Sequence, residues 1–149
     1  MTTYTEQVGT KLNNLLEKTY DAEKGYKKAA ENTDHNALKT YFNKRSQERY
    51  DFGHQLKSEI ARFGEKPEKG GSITGTMHRA WMDTKAFFAD QEAEAMLEES
   101  IRGEKAAVEE YESVLNDTTL PSSTASVLLT QMNTIKSELN TIKFLEDIS

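Results

Sequence analysis

The feature that most constrains this chain is an apolar stripe of helical period, repeated in four long segments with little to interrupt them. In the first segment Val8, Leu12, Leu15, Leu16, Thr19, Ala22, Tyr26 and Ala30 fall three or four residues apart, the spacing that puts side chains on one face of an α-helix. Thr3 and Glu6 have capping-box spacing ahead of it. The turn ENTDHN ends it, with Thr33 or Asp34 available to cap the next helix. The second segment carries Leu38, Tyr41, Phe42, Phe52, Leu56, Ile60 and Phe63 and stops at Gly64. Each of these helices is on the order of 28 residues, or about 40 Å at 1.5 Å per residue. The turn between them is short, which makes them antiparallel neighbours.

Gly64 to Thr76 holds four of the eight glycines and one of the two prolines, and is the main loop inside the chain. A short helix is expected from roughly Gly75 to Phe88, with Asp90 as the next N-cap. The third long helix then runs from about Gln91 to Leu115 with Ala93, Leu97, Ile101, Val108, Tyr111 and Leu115 inside. After NDTTLPSS, where Pro121 suits a first turn, the fourth carries Leu128, Met132, Ile135, Leu139, Ile142 and Leu145. Neighbouring helices of an up-and-down bundle need only about 2–8 connecting residues. The Gly64–Asp90 stretch is far longer, and its loop plus short helix can run the length of the bundle. The expected fold is therefore all-α: one domain over residues 1–149, a ferritin-like four-helix bundle with a long crossover, containing a short extra helix, between helices two and three.

Composition narrows the function classes. The net charge of −6 carries no footprint for a polyanion, so nucleic acid is not an expected partner. Asp21–Lys24, Glu23–Lys27 and Lys27–Glu31 have the spacing of intrahelical pairs on a solvated face. The absence of cysteine excludes disulfides, thiolate metal sites and a Cys nucleophile. MTTYTEQVGT has no basic region followed by an apolar run, so no signal peptide is expected. No stretch approaches the ~20 apolar residues of a membrane helix. The expected compartment is the cytoplasm, without a membrane partner, and the expected assembly is a homodimer. No phosphate-binding loop, Gly-x-Ser-x-Gly element or Ser/His/Asp arrangement is present. HRAWMDTKAFF (residues 78–88) is aromatic and basic, which fits a partner surface or, the preferred reading, packing of Trp81, Phe87 and Phe88 over the bundle side.

The stripes turn polar near their midpoints. Glu23 borders the inner face of helix one; Arg45 and then Glu48 or Arg49 fall between Phe42 and Phe52 on helix two; Glu104 lies between Ile101 and Val108; Gln131 and Glu138 flank Ile135. Two readings compete. In the first, Glu23, Glu48, Glu104 and Glu138, with His54 as an imidazole and Asp51 three residues before it, hold iron or manganese, whose ligands are carboxylates and imidazoles. Ferritin-like metal bundles supply a Glu-x-x-His from each of two helices. Here Glu48 has Asp51 where the His belongs, His54 is preceded by Asp51, and Glu138 has no histidine partner. In the second reading Glu23, Arg45, Glu48, Arg49 and Glu104 form a buried ion-pair network without a metal or other cofactor, since a guanidinium grips carboxylates and puts fixed positive charge where a cation would sit. Tyr26, Tyr50 and Tyr111 could be redox-active beside a metal, but better suit rings anchored in the core with hydroxyls tied to carboxylates. A third class, a bundle holding a small molecule or lipid between helices, fits the same stripes. The second reading is preferred, and the expected protein is not an enzyme.

DAEKGYKKAAE (residues 21–31), KRSQERYDFGHQLKSEIARFG (residues 44–64), GSITGTMHRAWMDTK (residues 71–85) and LEESIRGEKAAVEEYESVL (residues 97–115) occur in that order. Together they resemble bacterial ferritin-like four-helix-bundle proteins of domain-of-unknown-function family 2383, over nearly the whole chain. The resemblance implies a ferritin-like bundle of bacterial origin and a distant similarity to ferritin and rubrerythrin with the di-metal site lost or altered; the expected non-enzymatic bundle is read as stress-related. It implies no particular biochemical activity.

Overall fold

The computed structural model describes residues 3–34, 36–67 and 93–148. They form four helices: α1 Tyr4–Asn32, α2 Asn36–Arg62, α3 Ala93–Asp117 and α4 Ser122–Ile148. The short helix expected over Gly75–Phe88, with the HRAWMDTKAFF segment, lies outside the described residues.

The helix ends follow local chemistry. Thr3 is the N-cap of α1, and its Oγ1 accepts the Glu6 backbone N–H at 3.2 Å, satisfying one orphan donor of the first turn. Thr33 becomes the C-cap of α1. At the far end of α2, Gly64 takes φ +75°, the left-handed region where a Cβ is costly. Its N–H bonds to Ala61 C=O at 2.9 Å and the Glu65 N–H to Ile60 C=O at 3.2 Å, which closes the helix with paired carbonyls. Pro121 sits at the N-cap of α4, one residue ahead of its first turn, and its C=O accepts the Ala125 N–H at 2.9 Å.

Cross-helix contacts fix the topology. On α1 and α3, Lys18 pairs with Glu110 and Tyr26 meets Ser100. Ascending α1 therefore means descending α3. On α2 and α4, Arg45 pairs with Glu138, Gln55 bonds Gln131 and Glu59 bonds Thr124, again antiparallel. Since α1 and α2 form a hairpin, α2 and α3 run parallel. The connection between them must join opposite ends of the bundle, and the order is up-down-down-up with one long crossover.

The core is in two parts. The larger joins Val8, Leu12, Leu15 and Leu16 of α1 to Phe52, Leu56 and Ile60 of α2, Tyr111 and Val114 of α3, and Leu128, Met132 and Ile135 of α4. The smaller surrounds the α1–α2 turn, with Tyr26, Ala29, Ala30, Leu38, Tyr41 and Phe42 and, from α3, Ile101. Each large apolar side chain fully buried here contributes about 1.5–3 kcal/mol. Between the two parts lies a polar layer.

Candidate functional site: the polar midplane

Arg45 and Arg49 stand one turn apart on α2, so their side chains leave the same face. Both point inward between the apolar clusters. Arg49 and Glu104 are each 3% exposed, Glu138 is 6% and Arg45 8%, so these charges are held almost wholly away from water. Arg49 Nη2 donates to Glu104 Oε1 from α3 and lies 3.4 Å from Glu138 Oε1 of α4. Arg49 Nη1 donates to Glu48 Oε1, while Arg45 Nη1 pairs with Glu138 Oε2 and sits 3.3 Å from Glu48 Oε2. Helix α1 enters through Tyr26, whose hydroxyl bonds Glu104 Oε1 and lies 3.1 Å from Ser100 Oγ. All four helices thus feed one layer.

Aromatic rings sheathe the guanidiniums. Arg49 Cζ lies 5.7 Å from the Tyr26 ring centre and 5.3 Å from that of Phe52, and Arg45 Cζ lies 5.3 Å from that of Tyr41. Planar cations over aromatic faces gain from the ring quadrupole, more so when desolvated. Burial works against the Arg49 charge, but Glu104 and the other anionic neighbours outweigh it and hold the group above its ordinary value. Burial, reinforced by the Glu104 charge, holds the Tyr26 hydroxyl well above the usual tyrosine range, and Tyr41 is raised for the same reasons. Burial also raises Glu48, with Arg49 and Arg45 opposing.

A second polar layer lies one to two turns away. Tyr111 donates to Gln131 Oε1 at 2.6 Å, and Gln131 Nε2 reaches Gln55 Oε1 at 2.8 Å and Phe52 C=O at 3.3 Å. Burial pushes Tyr111 up to about 12. Beyond it, buried Glu59 accepts from Thr124 Oγ1 at 2.8 Å.

The structure brings together Arg45, Glu48, Arg49, Glu104 and Glu138 and leaves other candidates outside. Glu23 is half-buried and meets α2 through its backbone, its carbonyl accepting Ser46 Oγ at 3.0 Å. Among the described residues its carboxylate forms no ion pair with Arg45 or Arg49. Asp51 is exposed, accepting from Gln47 Nε2 at 3.3 Å. His54 is exposed, edge-on to Tyr50 at 4.6 Å between ring centres; Tyr50 itself, expected in the core, is exposed, because it lies about 100° round α2 from Arg49. At 3.6 residues per turn, Asp51 and His54 lie about 200° and 140° round α2 from Arg49, so their side chains cannot reach Glu104 or Glu138. Sequence reasoning missed Ser100 and the Arg45–Tyr41 contact; Tyr41 sits four residues before Arg45, a spacing that could have suggested it.

The donor set is a poor match to a di-iron or di-manganese centre. A divalent cation beside Glu104 and Glu138 would sit against the Arg49 guanidinium, and among the described residues the layer contains no imidazole. Among the described residues no group of three or more His, Cys, Asp or Glu side chains is placed to hold a metal ion. Among the described residues, too, no helix is long and apolar enough to cross a membrane.

Neither the curated proteins nor the solved structures yield a match to this chain. A family model described as a domain of unknown function (DUF2383) matches residues 7–117, from the first turns of α1 to the last residue of α3. The match takes in both arginines and Glu104 and covers most of the chain, which therefore belongs to the DUF2383 family.

Proposed function

We propose that this protein is a non-enzymatic ferritin-like bundle in which a Glu/Arg/Tyr network stands where a di-metal centre would be. The observation that supports this reading is Arg49, buried between Glu104 and Glu138 with Glu48 on its other terminal nitrogen. A guanidinium cannot shed its charge near neutral pH. It already pairs with Glu48, Glu104 and Glu138, the carboxylates that a metal would need, and displacing it would bury a cation next to a dication. The up-down-down-up order with one crossover is also the connectivity of ferritin-like bundles. The alternative is a di-iron or di-manganese protein of the oxidase, peroxidase or storage type.

The test is metal uptake. Full-length protein is mixed with ferrous iron without oxygen, freed of unbound metal, assayed for iron and then exposed to air while absorbance is followed. The expected result is no retained iron and no new absorption band. A pair of irons per chain giving an oxo-bridged spectrum would overturn the proposal.

A further inference from the structure

A cleft of about 320 Å³ opens between α1 and α3 beside the network, at the lower end of the volumes that small-molecule sites occupy. It forms because both helices present small residues there: Ala22 on one side, Gly103, Ala106 and Ala107 on the other. Tyr26, Glu104 and, from α2, Arg49 line its inner end, and Lys18 and Arg102 its rim. Each rim cation already has an acid, Lys18 with Glu110 at 2.7 Å and Arg102 with Glu99.

The charges of the midplane do not balance. Three carboxylates (Glu48, Glu104, Glu138) face two guanidiniums (Arg45, Arg49). The deficit has a location. Glu104 Oε1 takes both Arg49 and Tyr26, whereas Glu104 Oε2 is buried without a hydrogen-bond partner; Glu138 Oε2 also lacks a hydrogen bond but is held in the ion pair with Arg45. An unmet buried carboxylate oxygen is costly, and this one belongs to a residue that lines the cleft. An anion would add to the excess charge, and a neutral apolar molecule would leave the oxygen unmet. An ammonium supplies both the missing charge and the missing donor in one group; as a single charge on Oε2 it leaves Oε1 to Arg49, whereas a dication shared by Glu104 and Glu138 would have to displace the guanidinium.

We infer that the cleft is a binding site for a small organic amine, with an apolar body against Ala22, Ala106 and Ala107 and its ammonium on Glu104. Glu104 Oε2 is covered in this structure, so binding includes a side-chain adjustment of the kind common at ligand sites. The inference rests on the ion-pair reading of the midplane proposed above.

The experiment titrates full-length, iron-free protein with hexylamine, 1-hexanol and hexanoate, followed by calorimetry and by backbone amide NMR shifts. Hexylamine is expected to bind saturably, 1-hexanol roughly tenfold or more weakly, and hexanoate not at all. Ala106→Leu, at an exposed position outside the network, fills the cleft and should abolish binding with the melting curve unchanged. Glu104→Gln should bring hexylamine down to the affinity of 1-hexanol. Absence of hexylamine binding, hexanoate binding as tightly as the amine, or amine binding that survives Ala106→Leu would each overturn the inference. Iron uptake would refute the ion-pair reading itself, whereas failure of the titration in protein that takes up no iron refutes the cleft alone.

Discussion

Removing Arg49 and removing the charge of Glu104 should have unequal costs, and the inequality follows from the charge count. In Glu104→Gln the layer keeps Glu48 and Glu138 against Arg45 and Arg49, two of each sign, and the amide oxygen can still accept from Arg49 and Tyr26. What is lost is the charged character of those bonds, about 1.5–3 kcal/mol at most. In Arg49→Met three carboxylates remain against Arg45 alone, and Glu104, 3% exposed, loses its cation. Orphaning a buried charge costs about 3–5 kcal/mol. For a chain of this length about 1 kcal/mol moves the midpoint by roughly 2–4 °C. Arg49→Met should therefore melt roughly 6–20 °C below wild type, and Glu104→Gln at most about half as far below it.

Thermal and urea denaturation followed by circular dichroism measure both variants. Equal costs for the two variants, or an Arg49→Met deficit below about 1 kcal/mol, would refute the picture of a dry network with one carboxylate in excess.

Tyr26→Phe removes the hydroxyl that joins α1 to Glu104 and should cost about 1–2 kcal/mol at neutral pH. Because the folded state holds the Tyr26 proton well above pH 10 while the unfolded chain releases it there, wild type loses stability as pH climbs past about 10, and the variant should lose less over the same range; alkaline melts that fall in parallel would contradict this. At the base of α1, a Cβ on Gly9 would lie 2.6 Å from Glu65 Cγ. Gly9→Ala should therefore destabilise despite the roughly 1 kcal/mol that alanine gains in a helix, and adding Glu65→Gly should turn the change into a gain, both read from denaturant midpoints.

The stripes on α1 and α2 were readable because each keeps one helical phase over its whole length, so Arg45 and Arg49 fell on the inward face with Phe42 and Phe52. Phase also explains what misled. Asp51 and His54 have a metal-ligand interval, but their own interval says nothing about which way they face relative to Phe52. Glu23 borders the stripe next to Ala22, and a shift of one residue, about 100°, separates a side chain in the layer from one beside it. Pairing was not readable at all. Whether Arg49 meets Glu104, Glu138 or both depends on the axial offset between the two hairpins, which no spacing within a helix reports. The cleft has the same origin. Ala22 belongs to one helix and Gly103, Ala106 and Ala107 to another, and only their juxtaposition makes a space.

That offset is also where the network has its largest effect. The Leu, Val and Ile contacts of the main core are adaptable: moving α3 by one turn would exchange one aliphatic neighbour for another at modest cost. The polar layer does not tolerate such a slip. It would bring Ser100 or Val108 opposite Arg49 in place of Glu104, leaving a guanidinium with 3% exposure short of an anion and Tyr26 short of its acceptor. The penalty of about 3–5 kcal/mol for an orphaned buried charge is comparable to the 5–15 kcal/mol by which a folded domain exceeds its unfolded chain. An ion-pair layer that adds little net stability can therefore still decide which of several similar packings is populated. Replacing all five charges together by apolar residues of similar volume should leave the melting temperature unchanged or raised, while broadening the amide NMR spectrum as α3 samples more than one register.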